Sequence, residues 1–286
     1  MVFSPPAARY DRSVLQNDLS NRSIVNPDSL GQTVSFRSIT DLAPDGRSAV
    51  LSLDGRTIHV WGFALEGGET VLDRFKVWLS QEERVRAAQF IYREDQTRYA
   101  LAHGGLRAVL ACYLERDPTV LQFQAGVTGK PILLDQHNHP HDLRFNLSHS
   151  HGRMLIAVAQ GQDVGIDIEQ IRDKVEAVKL AERFYTPAEY QQVLSRAGAD
   201  QARQFYRYWV AKEAVLKGQG VGLVSLQQCE IDSSETVASA AAKILPGAPM
   251  QAGWTIRWLN CGDGWQGAVS ACGHEWGVRI VNEPPR

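Results

Sequence analysis

The segment Asp163-Val164-Gly165-Ile166-Asp167-Ile168-Glu169 ends in strict alternation of apolar and acidic side chains, the period-two pattern of a β-strand. In an extended backbone Ile166 and Ile168 face a core, while Asp167 and Glu169 share the opposite face, about 7 Å apart at the backbone. Two convergent carboxylates can hold a hard cation. Mg2+ accepts one or two protein carboxylates and completes its shell with water and phosphate oxygens. Taken alone, the same pattern also describes an ordinary amphipathic edge strand.

Working outward, RFNL at 144–147 and RMLIAVA at 153–159 read as strands, so the centre of the chain is a sheet. Downstream, helical spacing runs from about 175 to 183, 187 to 195 and 200 to 217, where Gly218 and Gly220 supply a C-terminal stop. GWTIRWLN, GWQGAVSA and WGVRIV then read as strands separated by glycine. Upstream, RTIHVWGFAL at 56–65 mixes β-branched and aromatic residues like a strand, and a helical stretch follows it. Ser80 with Glu83 forms a capping-box pattern, and apolar spacing through Leu101, Leu106, Val109, Leu110 and Tyr113 predicts one or two helices over 80–116.

Strand, helix and sheet thus occur twice in succession. The fold class is α+β, in two similar-sized halves with a boundary near Gly161. The expected organisation is an N-terminal extension over 1–56, an N-terminal half over 57–160, and a C-terminal half over 161–286 carrying the metal site. Residues 1 to about 35 are rich in Ser, Asn and Pro without apolar periodicity, so the extension is expected to be partly mobile.

Composition narrows the function. The 286 residues carry 30 basic and 32 acidic side chains for a net charge of -2, without the basic excess that binding to nucleic acid or an anionic membrane surface requires. Cys112, Cys229, Cys261 and Cys272 are far apart and form no CxxC pair, so neither a zinc knuckle nor a disulfide framework is expected. The N-terminus lacks a signal-peptide pattern, and the longest apolar run, Met154 to Ala159, is too short to span a bilayer. A soluble cytoplasmic protein is the expectation.

Three further segments bear on the chemistry. In Trp209-Val210-Ala211-Lys212-Glu213-Ala214-Val215-Leu216-Lys217, helical spacing stacks Trp209, Glu213 and Lys217 at i, i+4 and i+8, so an acid and a base share one stripe. A surface ion pair has the same spacing; what matters is its coexistence with Asp167 and Glu169. The loop Phe145-Asn146-Leu147-Ser148-His149-Ser150-His151-Gly152 offers hydroxyls and imidazoles to phosphate oxygens, as a polar turn also would. In Gly129-Lys130-Pro131, glycine allows close backbone approach, lysine brings a mobile charge, and proline sets the exit direction.

In the order GKP, FNLSHS, GIDIE and WVAKEAVLK, these pieces resemble the Sfp-type 4'-phosphopantetheinyl transferases. The resemblance extends into LSQEERVRAAQFIYREDQTRYALAHG, FYTPAEY and GQGVGL, covering roughly Thr57 to Leu226. It implies two pseudo-symmetric halves, each a small antiparallel sheet packed on a long helix, with a cleft between them. It also implies transfer of the phosphopantetheine arm of coenzyme A to a serine of an acyl or peptidyl carrier protein, releasing 3',5'-ADP.

By the family pattern, Asp167, Glu169 and Glu213 would ligate Mg2+ (or Mn2+) together with the coenzyme A pyrophosphate. Lys217 would neutralise pyrophosphate charge, and His149 with Ser148 would contact the 3'-phosphate region. Lys130 and Pro131 of GKP and Arg98 match further coenzyme A contacts, as does Arg86 more weakly. Phosphoryl transfer needs positioning and charge neutralisation more than a protein nucleophile. The incoming serine needs a proton acceptor, and Glu213, or a metal-bound hydroxide that it orients, is the candidate. A monomer is expected, because the two halves of one chain supply the cleft.

Two departures from the pattern stand out: Tyr99 replaces a Thr of some relatives, and SHSHG is one residue longer than SHSG. The alternatives are another metal-dependent nucleotide phosphotransferase or phosphodiesterase, and a catalytically silent carrier-binding module. Other motifs are set aside. The GxGxG of Gly218, Gly220 and Gly222 closes a helix instead of opening one. His137, His139 and His141 lie in a polar loop, and Trp254, Trp258, Trp265 and Trp276 sit in strand-like segments suited to core packing. No GxSxG elbow accompanies Ser150.

Overall fold

A computed structural model describes residues 31–42, 51–172, 175–232 and 238–282. The expectation of a mobile tail falls mostly on residues 1–30, outside the described residues. The described chain runs β1 (Arg37–Ser38), β2 (Thr57–Ala64), α1 (Glu69–Trp78), α2 (Gln81–Ala88), α3 (Arg93–Leu114), β3 (Phe123–Ala125), β4 (Pro131–Leu133), β5 (Leu143–Ser150), β6 (Arg153–Gln160) and β7 (Val164–Gln170). It continues with α4 (Ala177–Phe184), α5 (Pro187–Leu194), α6 (Gly198–Gln219), β8 (Cys229–Asp232), β9 (Ser239–Ile244), β10 (Trp254–Leu259), β11 (Trp265–Cys272) and β12 (Gly277–Ile280).

Two sheets organise these elements. The first has the order β1-β2-β6-β5, and the second β7-β11-β10-β9-β8. Each half has one helix of 22 residues: α3 in the first and α6 in the second. The fold is therefore α+β, as expected. The second sheet is antiparallel throughout, whereas β1 and β12 both pair parallel with β2 in the first.

The helix expectation over 80–116 resolves into two. The Ser80 side chain and backbone exchange hydrogen bonds with Glu83 to cap α2, and Tyr92 is extended where the chain turns into α3.

The run Met154 to Ala159 shows why β6 lacks alternation. Met154, Ile156 and Val158 enter the core beneath α1 and α3, while Leu155, Ala157 and Ala159 pack against Val164, Ile166 and Ile168 in a second core between the sheets. A strand buried on both faces reads as continuous apolar sequence. A third core joins α4, α5 and α6 to the back of the second sheet, where Trp254 and Trp258 are buried.

Two segments near the ends of the described chain cross between the halves. Residues 31–42 are built into the fold: Val34 donates to the Asn260 carbonyl at 2.9 Å, and Val34, Ile39 and Leu42 are buried. Strand β12, which sequence order places in the C-terminal half, joins β2 instead. Isolated apolar residues in a Ser- and Asn-rich stretch have no periodicity to announce them, so this insertion is invisible to pattern reading. The β8–β9 hairpin went unread for a related reason: four- and six-residue strands are too short to establish a period.

Candidate active site

Strands β5 and β7 are the facing edges of the two sheets. Alternate side chains of β5 bridge them. The Asn146 Oδ1 accepts from the Ile166 amide at 2.9 Å, Ser148 Oγ donates to Asp167 Oδ1 at 2.7 Å, and Ser150 Oγ donates to Glu169 Oε2 at 2.7 Å. All three β5 residues are buried. The N-x-S-x-S spacing is therefore a side-chain ladder that aims the two acids of β7.

Helix α6 approaches β7 closely because glycines meet at the crossing. A Cβ built on Gly165 would lie 1.9 Å from the Ala214 carbonyl oxygen, and one on Gly218 would lie 2.3 Å from the Trp254 ring. This contact brings Glu213 and Lys217 to Asp167. The Lys217 Nζ donates to Asp167 Oδ1 at 2.6 Å and to Ser148 Oγ at 3.1 Å, and stands 3.9 Å from Glu213 Oε2. Trp209, on the same stripe, turns to stack on Phe205 and edge against Phe184, away from the acids.

The acids lack sufficient counter-charge. Burial, reinforced by Asp167, pushes the Glu213 carboxyl up to about 7. Burial also raises Glu169 against the opposing hydrogen bond from Ser150. Lys217 is raised despite burial, because Asp167 and Glu213 favour its charged form. Asp167 is 2% exposed, and its Oδ2 is buried with no hydrogen-bond partner. An orphaned carboxylate oxygen beside two other acids suits a divalent cation, whose hard oxygen preference the donor set matches. Among the described residues no three His, Cys, Asp or Glu side chains are already gathered at metal-binding spacing; the Lys217 ammonium stands among the acids instead.

A groove of about 930 Å³ lies beside this cluster, lined by Arg86, Tyr99, His103, Gly129, Pro131 and His149. His149 is exposed to it, and desolvation together with the charges of His103, Lys217 and Arg98 pushes the imidazole down to about 4. Tyr99 stacks on His103 with centroids 3.9 Å apart, so the two rings build an aromatic wall of the groove. Behind it, Glu83 accepts from Arg107 Nε at 2.7 Å. A second opening, lined in part by Arg98, His149, Ser150, Glu169 and Arg172, connects Glu169 to solvent.

Sequence reading and geometry differ at particular residues. Ser148, expected at a 3'-phosphate, is buried and directed at Asp167 and Lys217. Lys130, expected to contact coenzyme A, turns its ammonium to the carbonyl oxygens of Gly218 at 2.6 Å and Val164 at 3.4 Å, while Thr128, Gly129 and Pro131 line the groove. Arg98 forms ion pairs with Glu94 and Asp95 at 3.1 and 3.3 Å. The extra residue of SHSHG sits in the β5–β6 turn, where His151 takes the left-handed φ of 49°. Asn146, Ser150 and His103 were not singled out as site residues; the alternation in FNLSHS was the available signal for the first two.

The remaining motifs behave as structural elements. The His137–His141 segment is an exposed turn whose amides at 137 and 139 donate to Asp135. Gly220 is the left-handed C-cap of α6. Among the described residues no helix is long and apolar enough to cross a membrane.

Comparison with known proteins adds an independent line. Residues 69–162 match the model of the 4'-phosphopantetheinyl transferase N-terminal family, and residues 163–267 that of the 4'-phosphopantetheinyl transferase superfamily. The chain is 34% identical over 226 residues to the 4'-phosphopantetheinyl transferase HetI of a Nostoc species, covering 79% of this chain and 92% of HetI. It is 33% identical over 151 residues to the 4'-phosphopantetheinyl transferase Sfp of Bacillus subtilis, covering 53% of this chain and 64% of Sfp. A putative 4'-phosphopantetheinyl transferase of a Synechocystis species is 36% identical over 149 residues, covering 52% of this chain and 60% of that protein.

Proposed function

The chain belongs to the 4'-phosphopantetheinyl transferase superfamily, and from that premise we propose that it moves the 4'-phosphopantetheine arm of coenzyme A to a serine of an acyl or peptidyl carrier protein, with Mg2+ and release of 3',5'-ADP. The observation that carries the finer reading is the part-buried acid cluster: Asp167 and Glu213 lie within 4 Å of one ammonium nitrogen, and Glu169 is held beside them by Ser150.

Asp167, Glu169 and Glu213 are the residues that would hold the cation, which when bound would supply positive charge to a diphosphate. Lys217 contributes a second positive charge at the same place, fixed by Asp167 and Ser148. His149, kept neutral, offers one N–H to a phosphate oxygen, and Arg86 adds charge on the groove wall.

In the reaction, the carrier serine oxygen forms a bond to the phosphorus on the pantetheine side. The bond from that phosphorus to the bridging oxygen breaks, leaving 3',5'-ADP. The serine proton passes to Glu213. Fixed charge of this kind acts where negative charge develops in the transition state. Residues of both halves meet at the acid cluster within one chain, Ser148 of β5 with Asp167 of β7 and Lys217 of α6, so the active species is proposed to be a monomer working in the cytoplasm.

The test is incubation with coenzyme A, Mg2+ and apo carrier proteins of the fatty-acid, polyketide and peptide types, followed by intact-mass measurement. Addition of the phosphopantetheine mass to at least one carrier is expected, and loss of that addition in Glu213→Gln with an unchanged circular-dichroism spectrum. Absence of any addition across the panel overturns the proposal, as does wild-type turnover in Glu213→Gln.

A further inference from the structure

We infer that Lys130 is a positioning residue for the acid cluster and not a contact of the nucleotide: it clasps β7 to α6 at their glycine crossing. The hairpin turn between β3 and β4 delivers it. The Gly126 amide donates to the Lys130 carbonyl at 2.8 Å, and Gly129 takes a φ of 87°, so the chain reverses and projects Lys130 toward the C-terminal half.

There its Nζ meets the carbonyl oxygens of Gly218, in the last turn of α6, and Val164, at the start of β7. These two residues flank the point where Gly165 abuts the backbone of Ala214 and Gly218. Asp163 lies 3.7 Å away and balances the charge. The last carbonyls of a helix have no intrahelical partner and carry partial negative charge, which a cation satisfies.

Neighbouring contacts follow the same plan. Thr128 Oγ1 donates to the Gly220 carbonyl, and a Cβ on Gly220 would meet the Lys130 stem at 3.6 Å. One turn of the N-terminal half therefore caps the helix that carries Glu213 and Lys217, and holds it to the strand that carries Asp167 and Glu169. The Lys130 ammonium is part-buried and faces these backbone oxygens.

The inference rests on the proposed transfer reaction only in its kinetic part. The test compares wild type, Lys130→Met, Lys130→Arg and Thr128→Val by three readouts. The first is hydrogen exchange of amides in the last turn of α6. The second is calorimetric binding of Mn2+ to the free protein, and the third calorimetric binding of 3',5'-ADP.

Lys130→Met is expected to speed exchange there about tenfold and to weaken Mn2+ several-fold, with 3',5'-ADP affinity within twofold of wild type. The kcat of carrier modification is expected to fall while KM for coenzyme A holds. Lys130→Arg is expected to recover most of the protection, and Thr128→Val to show a smaller loss in the same amides. Thr128→Val and Lys130→Arg decide the matter if Lys130→Met does not fold. Tenfold weaker 3',5'-ADP binding, with α6 exchange and Mn2+ affinity unchanged, overturns the inference. Failure of the wild type to modify any carrier overturns the transfer reading while leaving the exchange and binding results to judge the clasp.

Discussion

Gly165→Ala perturbs the one contact on which the acid cluster most depends. The added methyl would lie 1.9 Å from the Ala214 oxygen, 2.5 Å from the Gly218 nitrogen and 2.8 Å from its Cα. These are backbone atoms, so no side chain can rotate aside. A carbon and a carbonyl oxygen normally approach to about 3.3 Å. Helix and strand must therefore separate by roughly 1 Å or more. Overpacking of this kind costs 1–3 kcal/mol, and the rigidity of both partners places it near ~3 kcal/mol.

The same separation moves Glu213 and Lys217 from Asp167, and about 1 Å of misplacement typically costs ~10²-fold in rate. Urea denaturation followed by circular dichroism measures the first effect, and kcat of carrier modification the second. Gly68→Ala, at a position where a Cβ meets nothing within 4 Å, serves as the control. A Gly165→Ala protein within about 0.5 kcal/mol of wild type, turning over within twofold, would refute the argument that glycine at this crossing sets the site.

Three further outcomes are expected. Lys212 and Glu189 form a fully buried ion pair, with Glu189 also accepting from the Thr186 and Ile231 amides, so Lys212→Met should lose about 3–5 kcal/mol in urea titration, and Glu189→Gln/Lys212→Met should recover part of it. Stability should fall on acidification between about pH 6.5 and 2. Burial and then Arg279 depress His59 to about 4, and His103, Arg107 and the Ser80 amide overcome burial to hold Glu83 at about 2. Both folded values lie below the unfolded ones, so each contribution is complete at neutral pH and is lost as pH falls, by about 3 kcal/mol apiece; urea midpoints at pH 7, 5 and 3 check this, and a flat profile contradicts it. Ser150→Ala should weaken Mn2+ binding about tenfold by calorimetry with the unfolding midpoint nearly unchanged, because it removes the hydroxyl that aims Glu169; unaltered Mn2+ affinity contradicts that role.

Local chemistry carried much of the reading. Alternation in Gly165–Glu169 announced β7, and i, i+4, i+8 spacing placed Glu213 and Lys217 on one stripe of α6. Ser80 with Glu83 announced the capping box that starts α2. Each of these signals lies within a few residues, where backbone geometry alone dictates which side chains are neighbours.

The partners of those side chains depended on the tertiary fold. Ser148 reads as a phosphate ligand when its segment is taken for a polar loop; the segment is strand β5, and the meeting of two sheet edges turns the hydroxyl to Asp167, 19 residues on. Lys130 looked like a mobile charge beside a ligand, yet its acceptors are separated from it by 34 and 88 residues. Composition and periodicity determined the strand and helix carrying the acids and the chemistry available to them. Which hydroxyl, cation and glycine hold those acids together was decided by packing, because hydrogen bonds and close backbone contacts are made in space and leave no period along the chain.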